Sequence, residues 1–349
     1  MLDYTNCNIV KVSVHSVGNK TNNEELFLSK SLLDISDNLV KNLLFKFFLS
    51  PFSTPEFYSF TFSNQDFTLN PVFKFAYNIF ENEKTFHNNS VNIAKLLYEL
   101  SIHPQIKSGD LFVTYFTNIV FEDKTIDAVG IFKSENRQAF LKLNNNNNDF
   151  SINYNDGINV DKLDKGCIIF NTYKDSGFKV CVVDKSNKLV EAQYWKDNFL
   201  QLKPCSDDYH QTKDFLTIAK NFVTKRLSQE FEVSKADKID LLNRSVEYFK
   251  TNDTFDKSEF ENEIFQSNDV ITSFRSFDDN YRENNEIEMP NTFDISQQAV
   301  KKQTKFFKSV LKLDKNFHIY IHGDRQFIEK GFDDASGMNY YKVFFKEEK

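Results

Sequence analysis

At 349 residues the chain exceeds what one ordinary hydrophobic core organises and suits two domains of roughly 100–200 residues each. Hydrophobic residues make up 40% of it and aromatics 15%, with 39 Phe, so apolar burial can drive folding without disulfides or metal. Nine Gly and six Pro leave no room for a flexible linker or low-complexity tail, and a formal net charge of −7 argues against attraction of the whole chain to nucleic acid or acidic membranes.

The start, Met1 to Cys7, lacks a basic stretch followed by an apolar run, so no signal peptide is expected. Nowhere does the chain approach the ~18 apolar residues of a membrane helix. Ile9 to His15 alternates, with Val10, Val12 and Val14 predicted on one side of a half-buried strand. Gly18-Asn19-Lys20 turns the chain. A helix is predicted with Ser36 as N-cap, its inward stripe Leu39, Val40, Leu43, Leu44 and Phe47, ended by Pro51. A second follows Asn70-Pro71, burying Val72, Phe73, Ala76, Ile79 and Phe80. Ser90 is predicted to start a third, carrying Ile93, Leu96, Leu97 and Leu100.

The period then changes. Leu111–Phe116, Ile126–Phe132 and Gln138–Leu143 read as consecutive antiparallel strands, with a hairpin at Glu122-Asp123-Lys124. The five-Asn run Asn144–Asn148 reads as a solvated loop. Cys167–Phe170 and Phe178–Val183 form another hairpin around Asp175-Ser176-Gly177. Beyond Pro204 the helical period returns in Thr212–Ser228, Ser234–Thr251, a helix opened by Asp256-Lys257-Ser258-Glu259, and Asp269–Tyr281. Strands resume at Ser309–Leu313, Phe317–Ile321 and Tyr340–Phe345. The expected fold is therefore α+β: an N-terminal mixed or antiparallel sheet with helices over residues 1–204, then a C-terminal domain over 205–349. The latter divides into acidic helices, 205–289, and a basic segment rich in antiparallel strands, 290–349.

Charge is divided to match. Gln229–Met289 holds 16 Asp+Glu against 7 Lys+Arg, and Ser296–Lys330 holds 8 Lys+Arg against 3 Asp+Glu. If Ser296 caps a helix running to Lys312, then Lys301, Lys305, Lys308 and Lys312 share one solvent-facing stripe. If the chain turns to strand near Phe306, Lys308 and Lys312 still share a face. With Lys302, Lys315, Arg325 and Lys330 these form the candidate DNA-binding patch, because phosphate contact requires little more than clustered cations. The competing reading is a lysine-coated surface paired in cis with the acidic helices. Phe306, Phe307, Tyr320, Tyr340 and Tyr341 could stack on bases, but their alternating positions place them in a core. The acidic stretch could dock a basic partner, although its apolar stripes read as an ordinary helical layer.

Other chemistry finds little support. Strand rise places His318 and His322 ~13 Å apart, too far to share a metal without other ligands. Asp127 with Glu135-Asn136-Arg137 is the nearest approach to a nuclease carboxylate set, but its spacing and terminal Arg do not fit divalent-metal catalysis. Cys167, after Lys165-Gly166, leads into an apolar strand and is expected to be buried. Cys7, Cys167, Cys181 and Cys205 form no C-x-x-C pair and read as reduced thiols in the cytoplasm. Phosphate-loop, dinucleotide and nucleophile-elbow motifs are lacking.

Several distant strings keep a common order: Phe86–Leu100 (FHNNSVNIAKLLYEL), Ile106–Leu111 (IKSGDL), Gly130–Glu135 (GIFKSE), Lys162–Cys167 (KLDKGC), Ala192–Leu200 (AQYWKDNFL), Leu313–Phe317 and Gly337–Tyr341. Together they resemble the bacterial nucleoid-associated NdpA/YejK family, the last two its Bacteroidetes-type members. The Asn-rich insert and acidic helices differ from the enterobacterial members. The resemblance implies a cytoplasmic protein that co-purifies with the nucleoid, associates with DNA and contacts type II topoisomerases, with no enzymatic activity implied; taken with the basic segment, the expectation is a non-catalytic protein without cofactor or metal that binds duplex DNA with little sequence specificity. The resemblance supplies no site residues. The alternative is a protein-interaction adaptor, for example toward a type II topoisomerase or another nucleoid or defence component, with indirect DNA association. No membrane partner is expected, and a homo-oligomer is compatible with the sequence.

Overall fold

Residues 2–53, 56–146, 149–185, 194–307, 310–321 and 327–347 are described by a computed structural model, in which the alternating runs of the N-terminal part form one antiparallel sheet. Its strands are β1 (Leu2–Asp3), β2 (Asn8–Val17), β3 (Leu26–Leu28), β4 (Phe57–Phe60), β5 (Gly109–Phe121), β6 (Lys124–Ser134), β9 (Lys165–Phe170), β10 (Lys179–Asp184) and β11 (Leu202–Pro204). The order is β11-β4-β10-β9-β6-β5-β2-β3, with β1 also on β5. Between β6 and β9, β7 (Arg137–Asn146) and β8 (Asp149–Ile158) make a separate two-stranded ribbon. Helices α1 (Asn38–Leu49), α2 (Pro71–Glu81) and α3 (Phe86–Leu100) complete this part. The chain divides into two compact units, Met1–Cys205 and Ser206–Lys349.

In the first unit the sheet is covered on both faces. One face packs Val113, Val129, Ile131, Cys167 and Ile169 under α2 and α3, joined by a π-helical stretch at Tyr194–Leu200. Phe112, Phe116, Phe132 and Ile168 lie on the opposite face with Phe47, Phe48 and Leu49 of α1. Phe48 stacks on Phe132 at 4.4 Å between centroids. Burying such rings accounts for much of the chain's Phe content, each truncation costing about 3–5 kcal/mol.

The local rules hold with informative departures. In β2 the register shifts between Ile9 and Lys11. This bulge resets the alternation, so Ile9, Val12 and Val14 face the α1 side while Val10 is exposed. The N-cap of α1 is Asp37, not Ser36, its Oδ1 accepting from Leu39 N at 2.7 Å and Val40 N at 3.2 Å. Only the C-terminal end of α1 meets the sheet; Leu39, Val40 and Leu43, expected inside, are exposed. Helix α3 begins at Phe86, entered directly from a 3-10 turn that Asn82 caps. Ser90 therefore lies within the helix, buried rather than capping it. The predicted Asn loop is instead strand through Asn146, pairing Asn144 with Ser151 and Asn145 with Phe150; Asn147 and Asn148 lie outside the described residues. The β5–β6 hairpin turns at Glu122 and Asp123, both with positive φ, as a tight right-twisting connection requires.

The second unit is built on Phe as well. Helix α4 (Asp208–Asn221) continues through a π-helical stretch, Phe222–Arg226, and a last turn, Leu227–Glu230. It packs with α5 (Lys235–Thr251), α6 (Lys257–Ile264), α7 (Asn268–Asn284), α8 (Gln297–Thr304) and the short pair β12 (Thr254–Asp256) and β13 (Thr292–Asp294). Phe215, Phe249, Phe260 and Phe293 surround Phe255, with Phe215 and Phe293 centroids at 4.2 and 4.6 Å. Ser234 and Asp237 form a reciprocal capping box at the start of α5. Two hairpins follow: β14 (Val310–Leu313) with β15 (Phe317–Tyr320), and β16 (Ile328–Asp333) with β17 (Met338–Val343). Leu311, Ile321 and Ile328 join Ala236 and Ile239 of α5 in a smaller cluster. The α+β expectation holds, with every strand pair among the described residues antiparallel.

A buried polar chain links β2 to α3. Ser29 N donates to His15 Nδ1 at 3.2 Å, which leaves Nε2–H to face Ser90 Oγ at 3.1 Å, and Ser90 in turn donates to His87 O at 2.7 Å. Burial first, and His87 second, lower the His15 pKa from 6.5 to about 4. The unfolded chain thus takes up a proton that the folded chain lacks once pH falls below that of free imidazole. The associated stability is complete at neutral pH and is lost as pH falls to about 4, at most about 3 kcal/mol. Urea unfolding at pH 7 and pH 5 should show this loss, and His15→Gln should flatten it while lowering stability at pH 7.

Candidate nucleic-acid interface

Helix α8 is shorter than its lysine spacing predicts. Ser296 does cap it, its Oγ accepting from Ala299 N, but the helix ends at Thr304 and strand begins at Val310, so no single stripe reaches Lys312. The break follows from packing. Two successive turn bonds, Phe306 N to Gln303 O and Phe307 N to Thr304 O, drop Phe307 into the Phe-rich core at 8% exposure and leave Phe306 outside at 58%.

The candidate residues are consequently spread over one helix and two hairpins. Lys301 and Lys305 stand about one turn apart, both exposed, while Ala299 and Val300 are buried. Lys302 is half-buried, with Nζ 5.3 Å from the Tyr209 ring centroid on α4. Lys312 is exposed on β14 opposite His318, and Lys315 is exposed in the following turn. Lys330, also exposed, pairs with Tyr341 across β16–β17. Lys308, His322, Asp324 and Arg325 lie outside the described residues.

The structure adds Lys220 to this set. From α4 its Nζ reaches 5.5 Å from the centroid of Phe306, an exposed ring. Counting charge within Ser296–Lys330 could not reveal it. Its signal was the cationic end of α4, where Lys220, Lys225 and Arg226 gather as the helix dipole favours. The expectation that the aromatics are core is corrected for Phe306, Tyr320 and Tyr340, which are exposed. Hairpin pleating explains Tyr320: it shares the solvent face of β14–β15 with Lys312 and His318, while Leu311 is buried. Tyr340 lies over Gly331, where a Cβ would meet its ring.

The cations of the acidic helices are largely paired within those helices, which remain acidic as a whole. Arg244 pairs with Asp240, Lys250 with Glu247, Lys257 and Arg282 with buried Asp278, and Arg275 with buried Glu261. Each of these pairs is made within α5–α7.

A second cluster occupies the first unit. Lys133 and Lys165 are direct cross-strand neighbours on β6 and β9, an arrangement that repels unless an anion intervenes. Glu135 intervenes, its Oε1 3.0 Å from Lys133 Nζ and its Oε2 2.8 Å from Lys165 Nζ. Both lysines are buried, at 0% and 2% exposure. Lys133 Nζ also donates to Lys107 O at 2.5 Å and lies 5.5 Å from the Tyr194 ring centroid. Asp164 supplies the second negative charge and accepts from Glu135 N at 2.7 Å. Burial pulls the Lys133 pKa down, opposed by Glu135.

The strings Ile106–Leu111, Gly130–Glu135, Lys162–Cys167 and the Tyr194-Trp195 pair all meet here; Tyr194 bonds Ser101 at 2.8 Å and Trp195 donates to Gly166 O at 3.4 Å. Gly109 lies so close to β6 that a Cβ would stand 2.3 Å from Ser134 O. Glu135 is thereby committed to two lysines, Asp127 to the Tyr115 hydroxyl and Arg137 to Asp110, so these residues do not converge as a carboxylate site. Among the described residues no group of three or more His, Cys, Asp or Glu is arranged to hold a metal. Cys167 is buried as expected, and burial raises its pKa.

Two stability outcomes follow. Glu135→Gln, which leaves two buried ammonium groups with only Asp164 nearby and no ion-pair partner between them, should cost about 3–5 kcal/mol in chemical denaturation. Phe307→Ala should cost about 3–5 kcal/mol, whereas Phe306→Ala should stay within about 1 kcal/mol.

The family model for nucleoid-associated protein YejK matches residues 13–337 of the chain. No curated protein matches it. Among the described residues no helix is long and apolar enough to cross a membrane.

Proposed function

The chain belongs to the nucleoid-associated protein YejK family, and on that premise we propose that it binds duplex DNA in the bacterial cytoplasm with little sequence specificity and without catalysis, through the lysine-rich surface of its second unit. The observation that carries this reading is Lys220 at the exposed Phe306 ring, which follows directly on α8 with its exposed Lys301 and, at its end, Lys305. Lysines so placed neutralise phosphates and release counterions whatever the base sequence. Lys312, Lys315 and Lys330 extend the cationic set onto the hairpins, with Tyr320 and Tyr340 available to bases that leave the stack.

A second reading, an adaptor for a basic protein such as a type II topoisomerase, draws support from Asp279, Glu283 and Glu286. All are exposed near the C-terminal end of α7, where the helix dipole already favours cations.

Salt-titrated DNA binding on nucleic-acid-free protein separates the two. Direct binding should weaken steeply with salt, and replacing Lys220, Lys301 and Lys305 by Ala should reduce the log–log slope by about 0.9 for each phosphate no longer neutralised. A folded triple variant with unchanged affinity and slope would reject this surface. Failure of the wild-type protein to shift DNA at low salt would favour the adaptor.

A further inference from the structure

The ribbon β7–β8 has two unequal faces. Cross-strand pairs Leu141–Tyr154, Leu143–Ile152 and Asn145–Phe150 place five large apolar side chains together. Each is exposed, from 61% for Ile152 to 76% for Leu141. The opposite face carries Gln138, Lys142, Asn144, Ser151, Asn153 and Asn155, with Phe140 leaning onto Gly157. Among the described residues β7 pairs only with β8. A two-stranded ribbon without packing is marginal in water, and an apolar patch of this extent marks a contact surface.

We propose that this face is the interface between two copies of the chain, packed ribbon to ribbon about a two-fold axis. Five such side chains present roughly 600–700 Å², so two copies would bury about 1,200–1,400 Å², within the range of a specific interface. A two-fold contact requires only that the patch complement itself. From Leu141 to Tyr154 this face carries no charge; Arg137, held by Asp110 at 2.6 Å, and Asp156 lie at its base. In antiparallel ribbons each base lies beside the partner's Asn145–Phe150 tip, so like charges do not meet. Nucleic acid is a poor occupant, because the ribbon balances Arg137 and Lys142 with Asp149 and Asp156.

Sedimentation equilibrium of the full chain, from about 1 to about 100 µM, tests this by mass action. The wild-type protein should approach twice its 41.0 kDa mass. Leu143→Asn with Ile152→Asn should weaken association at least about 100-fold. The neighbouring rung on the other face, Lys142→Asn with Asn153→Ser, should leave it unchanged, which controls for damage to the ribbon itself. Circular dichroism would confirm that each variant is folded. Wild-type protein that remains monomeric, an apolar-face variant that still dimerises, or a control that dissociates equally would each overturn the proposal.

Discussion

The first unit depends on a single carboxylate between two buried ammonium groups. Lys133 and Lys165 face one another across adjacent central strands, inside a sheet covered on both sides. Alone they would repel in a low-dielectric interior. With Glu135 between them and Asp164 beside it the group is neutral as a whole, and its hydrogen bonds reach Lys107 O, Glu135 N and Asn136 N. A cluster of this kind seldom adds net stability over apolar packing, but it penalises any register that separates its members. That penalty ties β6, β9, the loop before β5 and the Tyr194 helix to one arrangement.

This accounts for what the resemblance conveys. Four of the strings that first suggested the family converge on the buried cluster, within the first unit. They therefore specify how the sheet closes, not what the protein touches. Residues proposed to meet DNA lie in the second unit, where the strings Leu313–Phe317 and Gly337–Tyr341 mark hairpin turns.

Much of the fold was legible because local signals and packing agreed. Asn70-Pro71 and Ser234 with Asp237 carry their helix starts in the residues themselves, and the hairpins at Glu122-Asp123 and Gly177 announce their turns. The failures arose where packing overrode a local pattern. Nothing in the spacing of Val10, Val12 and Val14 reveals a bulge. The stripe of α1 is helical throughout, yet its first turns, with Leu39, Val40 and Leu43, stay exposed and packing begins only at Leu44. Ser90 resembles an N-cap but instead answers His15 from another element. In the basic segment, sequence placed Lys301 and Lys302 on a helix capped by Ser296, but not where that helix ends. No Gly or Pro stops it; Phe307 does, by entering the core. Lys220 was invisible to any count along one segment, because folding alone brings α4 beside α8.

Two of the apolar exposures among the described residues differ in physical meaning. Phe306 is a lone ring beside lysines, an amphipathic contact that suits an alternating surface of charge and base. The ribbon face is continuous, uncharged along its length and backed by asparagines, features that suit a surface like itself. Surfaces so different in polarity compete little for one partner, so association through the ribbon and binding through the lysines can coexist. Each dimer would then carry two lysine surfaces. Weak phosphate contacts, doubled within one particle, hold DNA more tightly than either does alone, because the second contact forms at the effective concentration set by the first. A protein with a net charge of −7 could thereby retain DNA without a strongly basic surface on any single copy.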